Sequence, residues 1–269
     1  MAKCVQSRCM FDLLSTDYFF GGKLRLVQPR SGYRVSVDSC LLVYFVHRFK
    51  RIRHCVEVGT GSGIVSIGLL LAEAAERVTA VEIQKELADV ARKNMELHGF
   101  EKRMMLFHED IREFASSFKA DDVDAVVMNP PFWAQNAGKH SPNEQKRIAN
   151  HEICGTLDNW MESAARILGR KSRGRIYAIY PAKKFNRLVS ALNNVGYNLL
   201  SICAVYSGIN INAEMVLIEA GTGNVDNVSI LPSIILNDEN GKPTEESNWI
   251  LQGQFSKSLL ELPDMRAPR

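Results

Sequence analysis

The sequence predicts an α/β fold, with a seven-stranded, mostly parallel, doubly wound sheet that closes with an antiparallel hairpin. Two observations lead to this prediction. Short apolar or β-branched runs alternate with helix-like stretches between residues 51 and 196, as is typical of a parallel sheet with helices on both faces. After residue 196, the strand-like runs 199–206 and 213–220 follow each other without a helix, which indicates an antiparallel pair at one edge of the sheet.

The first strand of this sheet is predicted over residues 54–58 and leads into a glycine-rich stretch, 59–63, and then into a helix over 63–75. Alternate glycines in the turn permit positive φ and a close approach of the backbone to a ligand, while the helix N-terminus offers N–H groups. The dinucleotide fingerprint G-x-G-x-x-G is not matched, because Ile64 stands where its last glycine is required.

The second strand is predicted over 77–82 and ends in Glu82. An acidic residue about 20 positions after such a turn, at the tip of the next strand, suits the two hydroxyls of a ribose. The alternative is a negative charge at the N-terminus of the following helix, 84–98, which Gly99 closes.

The third strand, predicted over 103–107, is followed by Asp110 and a helix over 111–118. Asp110 suits two roles, as an acceptor for the amino group of an adenine ring and as the N-cap of that helix. One carboxylate can fill both roles, so the two interpretations stay open together.

The fourth strand, 123–128, ends in the tetrapeptide Asn129-Pro130-Pro131-Phe132. Two prolines end the strand and stiffen the exit, because each fixes φ and neither offers an N–H group. The Asn129 carboxamide and a backbone carbonyl can together accept both hydrogens of an exocyclic NH₂ group, and Phe132 can stack on the planar group that carries it. The alternative is a proline-stiffened loop without a chemical role.

The rest of the chain divides into three segments: a basic N-terminal segment, 1–50, expected to cover a ligand site; a central domain, 51–220; and an irregular C-terminal appendage, 221–269, packed on or beside the domain. Asp38 lies at the start of a predicted amphipathic helix, where it either caps that helix or closes one wall of the site. The remaining predicted elements are helices 38–50, 156–168 and 182–195 and strands 174–180 and 228–236.

Composition narrows the class of protein. Hydrophobic residues make up 46% of the 269 and charged residues 23%, which is ordinary for a globular protein. No apolar run is long enough to span a bilayer, and charges interrupt the N-terminus, so we expect a cytoplasmic protein without a membrane partner. Scattered cysteines without a C-x-x-C pair are expected to be reduced core thiols, with no metal site. They are Cys4, Cys9, Cys40, Cys55, Cys154 and Cys203.

Charge is distributed unevenly along the chain. Residues 1–53 contain ten basic and three acidic residues, a net +7, whereas residues 221–269 contain four basic and seven acidic residues, a net −3. Further basic clusters lie in 170–175 and 183–187. This separation favours a surface that faces a polyanion such as RNA, although an ordinary solvated surface also accounts for it.

The glycine-rich turn, the acidic strand tips and the N-P-P-aromatic motif together resemble the class I, Rossmann-like S-adenosylmethionine-dependent methyltransferases. The N-P-P-aromatic form is similar to that of enzymes that methylate planar amines: adenine N6, guanine N2 and glutamine amides. Residues 28–39 and 147–152 further resemble the bacterial family that methylates N6 of an adenine beside the anticodon of a valine tRNA. That family often has Tyr where this chain has Phe132 and Ala where it has Asn150.

The resemblance implies S-adenosylmethionine as cofactor, S-adenosylhomocysteine as product and tRNA or another RNA as substrate. It places the target amine at Asn129, Pro130, Pro131 and Phe132. It places the cofactor at Arg34, Asp38, Glu57, Gly59, Thr60, Gly61, Gly63, Glu82, Ile83, Asp110, Ile111 and Asn129. No general base is required before attack, because hydrogen bonds to the NH₂ group polarise its nitrogen while the donor lies in line.

The polar stretch 133–153 is interpreted either as a flap that contacts RNA phosphates or as a plain surface loop. Within it, His151 and Glu152 are interpreted as an ion pair at a helix start rather than as an acid–base pair. The pattern does not address the oligomeric state.

Other functions fit parts of the pattern. A methyltransferase acting on a protein glutamine or on guanine N2 of rRNA shares the N-P-P-aromatic motif, but protein binding should depend little on salt, whereas RNA binding should weaken steeply as salt rises. A catalytically silent RNA-binding module is a candidate from another class, and turnover distinguishes it. A dehydrogenase is disfavoured by Ile64 and by the closing hairpin.

Overall fold

The computed structural model describes residues 14–31, 34–49, 51–118, 122–130, 155–169, 174–222 and 227–255. The strands are β1 (Leu14–Phe19), β2 (Leu24–Pro29), β3 (Ile52–Val58), β4 (Ala75–Glu82), β5 (Met104–His108), β6 (Ala125–Met128), β7 (Arg175–Pro181), β8 (Asn198–Tyr206), β9 (Met215–Gly221), β10 (Ser229–Ile230) and β11 (Ile234–Ile235). The helices are α1 (Val37–His47), α2 (Ile64–Leu71), α3 (Lys85–Leu97), α4 (Ile111–Ser117), α5 (Leu157–Leu168), α6 (Phe185–Asn194) and α7 (Glu245–Leu251).

The central sheet has the strand order β8-β9-β7-β6-β3-β4-β5. Strand β9 runs antiparallel to both of its neighbours, whereas β7, β6, β3, β4 and β5 pair in parallel. This confirms the predicted doubly wound fold with its hairpin. The short strands β10 and β11 pair in parallel with β8 and extend the sheet at that edge.

The sheet is covered on both faces, because successive residues of its strands point to opposite sides. Cys55 of β3 belongs to the hydrophobic cluster that includes α1 and α2, while the next residue, Val56, belongs to the cluster that includes α4, α5 and α6. The predicted boundaries differ slightly from those observed. Helix α2 ends at Leu71, not 75, because Glu73 adopts a positive φ of 54° and β4 begins at Ala75.

Helix α1 corrects the prediction of an amphipathic helix. Every residue from Ser39 to Val46 is buried, because the helix packs against α2, β7 and α7. A helix that is covered on all sides is apolar all round. Its N-cap is Ser36 and not Asp38, which lies in the first turn.

An antiparallel hairpin, β1–β2, precedes the central domain and was not predicted. Its turn contains Gly21 and Gly22 at positive φ. Strand β2 is tied to α3 by the buried Asn94, whose carboxamide accepts from Val27 N–H and donates to Val27 O, each at 2.8 Å. The hairpin is thereby joined to the region of the glycine turn, since Asn94 Nδ2 also donates to Ser62 O at 2.8 Å.

The C-terminal appendage packs on the same face as α1. The predicted strand 228–236 is split into β10 and β11 by Pro232, which cannot donate to a ladder. Helix α7 is joined to α1 where Tyr44 Oη donates to Glu246 Oε1 at 2.9 Å. Phe255 lies against Phe20 and Tyr44, with ring centroids 5.5 and 6.0 Å apart.

In the described part of the chain, no helix is long and apolar enough to cross a membrane. Over the same residues, no three His, Cys, Asp or Glu side chains are grouped as a metal site requires. The described cysteines, Cys40, Cys55 and Cys203, are buried and free.

Candidate active site

The carboxyl ends of β5, β4, β3 and β6 lie side by side at one edge of the sheet. In the ladders, Val58 of β3 stands opposite both Val81 of β4 and Met128 of β6. The segments that follow these strands are therefore neighbours. The strand order reverses at β3, and open α/β sheets bind ligands at such a point.

The glycine turn begins where β3 ends and is held against β4. The backbone N–H groups of Gly59 and Thr60 both donate to Val81 O, at 2.9 and 3.1 Å. Gly59 has a φ of +69°, and a Cβ atom there would lie 2.6 Å from Cη2 of Trp160. Glycine is required at this position because both the backbone conformation and the space exclude a side chain.

Glu57 lies beneath the turn and is buried. Its Oε2 accepts from Thr60 Oγ1 at 2.7 Å and from Ser66 N–H at 2.8 Å, and also from the Ser66 hydroxyl. Burial raises the pKa of Glu57 to about 7, against these hydrogen bonds, which favour the charged form. This network joins β3, the turn and α2, so the carboxylate holds the turn in shape.

Glu82 is the buried acidic tip of β4. Its Oε2 accepts from Gly61 N–H at 2.8 Å and its Oε1 from Gln84 N–H at 2.9 Å. Burial raises the pKa of this carboxyl. The Ile83 backbone and the Gln84 side chain also contribute hydrogen bonds to this carboxylate. The next residue, Ile83, is half-buried, and its carbonyl lies 3.1 Å from His108 Nε2.

Asp110 is the N-cap of α4, which is one of the two roles that the sequence predicted for it. Its Oδ1 accepts from Arg112 N–H at 2.8 Å, and Arg112 Nε donates to the same oxygen at 2.9 Å. The hydrogen bond with the Arg112 side chain holds the pKa of Asp110 below its ordinary value. Ile111 beside it is buried. The role of Asp110 toward an adenine stays a prediction.

Asn129 follows β6 directly, beside the glycine turn in the sheet. Its Oδ1 atom is buried and has no hydrogen-bond partner. Pro130 is buried. Pro131, Phe132 and the proposed flap at 133–153 lie outside the described residues, together with His151 and Glu152.

Arg34 and Asp38 were predicted to bind the cofactor. In the structure their side chains bind other residues of the N-terminal part of the chain. Arg34 Nη2 forms an ion pair with Asp17 of β1 at 2.9 Å, so Arg34 ties the segment before α1 to the hairpin. Asp38 Oδ2 accepts from Ser36 Oγ at 2.9 Å. Burial and the nearby Glu214 at the start of β9 raise the pKa of Asp38.

Several basic residues of the stretch 1–53 are engaged within the chain. Arg53 forms an ion pair with Asp124 at 2.9 Å, and Arg48 is buried. The surface share of the +7 excess is therefore smaller than the sequence indicated.

Three residues of this region were not identified from the sequence: Ser62, Gln84 and Trp160. Each carries a buried polar atom without a hydrogen-bond partner, namely Ser62 Oγ, Gln84 Oε1 and Trp160 Nε1. Such atoms are rare in native proteins, and a role in binding a ligand is one reason for them. With Asn129 Oδ1 they surround the glycine turn, so this edge of the sheet fits a ligand rich in hydrogen-bonding groups.

Comparisons with known proteins agree with this geometry. A sequence model of the methyltransferase small domain matches residues 31–150. A tRNA1(Val) (adenine(37)-N6)-methyltransferase of Dyadobacter fermentans is 25% identical over 217 residues, which are 80% of this chain and 86% of the relative. A protein of the same name from Tolumonas auensis is 30% identical over 183 residues, which are 66% of this chain and 72% of the relative.

The fold is also found among solved structures. The crystal structure of an Agrobacterium tumefaciens protein, described as a predicted O-methyltransferase, superposes with a TM-score of 0.60 at 19% identity. The superposition covers 79% of this chain and 96% of that one. At this identity the likeness concerns the fold alone.

Proposed function

Because this chain belongs to the family of tRNA1(Val) (adenine(37)-N6)-methyltransferases, we propose that it transfers a methyl group from S-adenosylmethionine to N6 of an adenine beside the anticodon of a tRNA. The S–CH₃ bond breaks and the N–CH₃ bond forms, so S-adenosylhomocysteine and the proton that N6 loses are the other products. The observation that carries the proposal is the buried, unpartnered Asn129 Oδ1 beside the glycine turn. A tRNA substrate also implies a cytoplasmic enzyme.

The donor is proposed to lie along the carboxyl ends of β3, β4 and β5. Glu82 would hold the ribose hydroxyls, since it is the buried acidic tip of the strand next to the glycine turn. Asp110 would accept from the adenine amino group while it caps α4. When bound, S-adenosylmethionine supplies an electrophilic methyl group on a sulfonium.

The substrate amine is proposed to lie at Asn129. Its Oδ1 would accept one N6 hydrogen, and the Pro130 carbonyl would accept the other. These bonds orient the amine and shift electron density onto its nitrogen, so no general base is needed before attack. A base in an anticodon loop is single-stranded, and little unstacking energy is needed to bring it to the site.

The test is methyl transfer from labelled S-adenosylmethionine to separate pools of unmodified tRNA, rRNA, duplex DNA and protein, followed by nucleoside and amino-acid analysis. The expected product is N6-methyladenosine in tRNA. Label in guanosine or in glutamine instead would contradict the proposed substrate but would still show that the protein is a methyltransferase. Binding of tRNA should also weaken steeply as salt rises, which binding of a protein substrate should not.

A further inference from the structure

The unpartnered buried atoms at the candidate site differ in chemistry. Gln84 Oε1 and Asn129 Oδ1 can only accept a hydrogen bond, and the Ser62 hydroxyl can donate or accept. Trp160 Nε1–H can only donate. A buried donor left unpaired costs about 1–3 kcal/mol. Trp160, which is 7% exposed, therefore indicates a ligand acceptor at this edge of the sheet.

The indole ring lies between two glycines. Its Cη2 corner packs on Gly59, the first residue of the turn, as the 2.6 Å distance to a Cβ built there shows. On the other side, Nε1 lies 3.7 Å from a Cβ built at Gly155, just before α5. Neither neighbour has a side chain that could accept from Nε1–H. The ring is thus fixed by packing while its one polar atom stays unpaired.

We propose that Trp160 Nε1–H donates a hydrogen bond to the carboxylate of the methionine part of the cofactor. This inference rests on the proposed function: with the ribose at Glu82 after β4 and the substrate amine at Asn129 after β6, the methionine part is placed at the glycine turn, which follows the strand between them. Trp160 packs on Gly59 of that turn through its Cη2 corner, and the same ring carries its N–H group at the edge that faces Gly155. A carboxylate is the strongest acceptor that the cofactor carries, and charge-assisted hydrogen bonds are roughly twice as strong as neutral ones.

The charges of the site make such a donor useful. Glu57 and Glu82 are both buried beside the turn, and a ligand carboxylate there is repelled by any negative charge they carry. Donors must offset this repulsion. The amide of Gly61 is already bound to Glu82, so it is not available. Trp160 is rigid and buried, and it can supply a donor at little entropic cost.

The first experiment compares two ligands that differ in the amino-acid part, which carries the carboxylate. S-adenosylhomocysteine carries the amino-acid part, whereas 5′-methylthioadenosine keeps the adenine, ribose and sulfur but lacks it. Trp160→Phe keeps an aromatic ring against Gly59 and removes the N–H group. By titration calorimetry we expect this variant to bind S-adenosylhomocysteine at least about tenfold more weakly and methylthioadenosine with nearly unchanged affinity. Trp249→Phe, on α7, is the matched control.

An equal loss for both ligands, or no loss for either, would overturn the proposed contact. If Trp160→Phe does not fold, the wild-type protein provides the test through the indole N–H signals of its three tryptophans. The Trp160 signal, assigned with Trp133→Phe and Trp249→Phe, should shift downfield with S-adenosylhomocysteine and not with methylthioadenosine. An unmoved signal in the presence of bound S-adenosylhomocysteine contradicts the contact alone, whereas failure of the wild type to bind either ligand contradicts the proposed function as well.

Discussion

The carboxylate of Glu82 accepts a hydrogen bond from the backbone N–H of Gly61 across 2.8 Å, and so ties the tip of β4 to the turn that follows β3. Its second oxygen accepts from Gln84 N–H at the start of α3. One buried side chain therefore holds two walls of the candidate site. A ligand that binds this carboxylate meets a turn that is already in place.

Replacing Glu82 by Gln should weaken the binding of S-adenosylhomocysteine at least about tenfold, because the amide NH₂ would face a backbone N–H donor and leave it unpaired. Titration calorimetry measures the effect. Glu86→Gln, exposed in the first turn of α3, is the control and should bind as the wild type does. Equal affinities for the two variants would contradict a role of Glu82 in binding the ribose or in shaping the turn for the ligand.

Gly59→Ala should destabilise the fold more than Gly99→Ala does. The two glycines have nearly the same φ, +69° and +67°, so a side chain adds similar backbone strain of about 1–2 kcal/mol at each. Only at Gly59 does the added Cβ collide with Trp160, whereas nothing lies within 4 Å at Gly99. Overpacking of this kind costs about 1–3 kcal/mol more.

Urea unfolding of these two variants, of Trp160→Ala and of the double variant Gly59→Ala/Trp160→Ala measures the difference. We expect the Trp160→Ala change to cost less in the Gly59→Ala background than in the wild type, because it removes the collision. Equal unfolding free energies for Gly59→Ala and Gly99→Ala would mean that the ring moves aside without cost.

Asn129→Ala should lower the rate of methyl transfer by about a hundredfold or more and leave S-adenosylhomocysteine binding nearly unchanged. The reason is that the proposed function assigns the carboxamide to the substrate amine, and loss of one preorganised polar group has effects of this size. Single-turnover kinetics with tRNA provide the measurement, and Asn193→Ala on the exposed side of α6 is the control. A loss within about tenfold, or about 1.4 kcal/mol, would contradict the role of Asn129.

Glu57 should make the stability of the fold depend on pH. Its pKa is raised to about 7 in the folded protein from an ordinary value of 4.5. Between these values the folded state keeps a proton that the unfolded chain has lost. Stability from this group is therefore complete below the lower value and is lost as pH rises through the upper one.

In Glu57→Gln this dependence is absent. The wild type should therefore lose about 3 kcal/mol of unfolding free energy relative to the variant as the pH rises from 4 to 8. Urea unfolding across this range measures it, with the exposed Glu96→Gln as control. A constant difference would show that Glu57 titrates alike in both states.

Phe255→Ala should lower the unfolding free energy by about 3 kcal/mol, because the ring is 6% exposed and packs on Phe20 and Tyr44. Ile230→Ala in the same appendage should change it little, since that residue is 84% exposed. Thermal or urea unfolding provides the comparison. Similar small effects for both variants would mean that the end of the appendage does not contribute to the folded core.

Much of the central sheet could be predicted from local patterns. Each strand from β3 to β6 is a short apolar run that ends in a glycine, an acidic residue or Asn-Pro, and these signals depend on neighbours in sequence. The hairpin β1–β2 escaped prediction because the contacts that hold it lie far along the chain: Leu24 and Leu26 are buried in the core, and Val27 is bound by Asn94, 67 residues away. Helix α1 was predicted to be amphipathic because its second cover, α7, lies far along the chain.

The candidate site shows the same division. The sequence alone determined that Gly59, Glu82, Asp110 and Asn129 follow or end strands. Turns, helix caps and strand ends depend on residues that are adjacent in sequence. Only the tertiary structure brought Trp160 against Gly59 and left its N–H group unpaired. A tryptophan in an amphipathic helix gives no local sign of a ligand, since its partners are set by helix packing on the sheet and are distant in sequence.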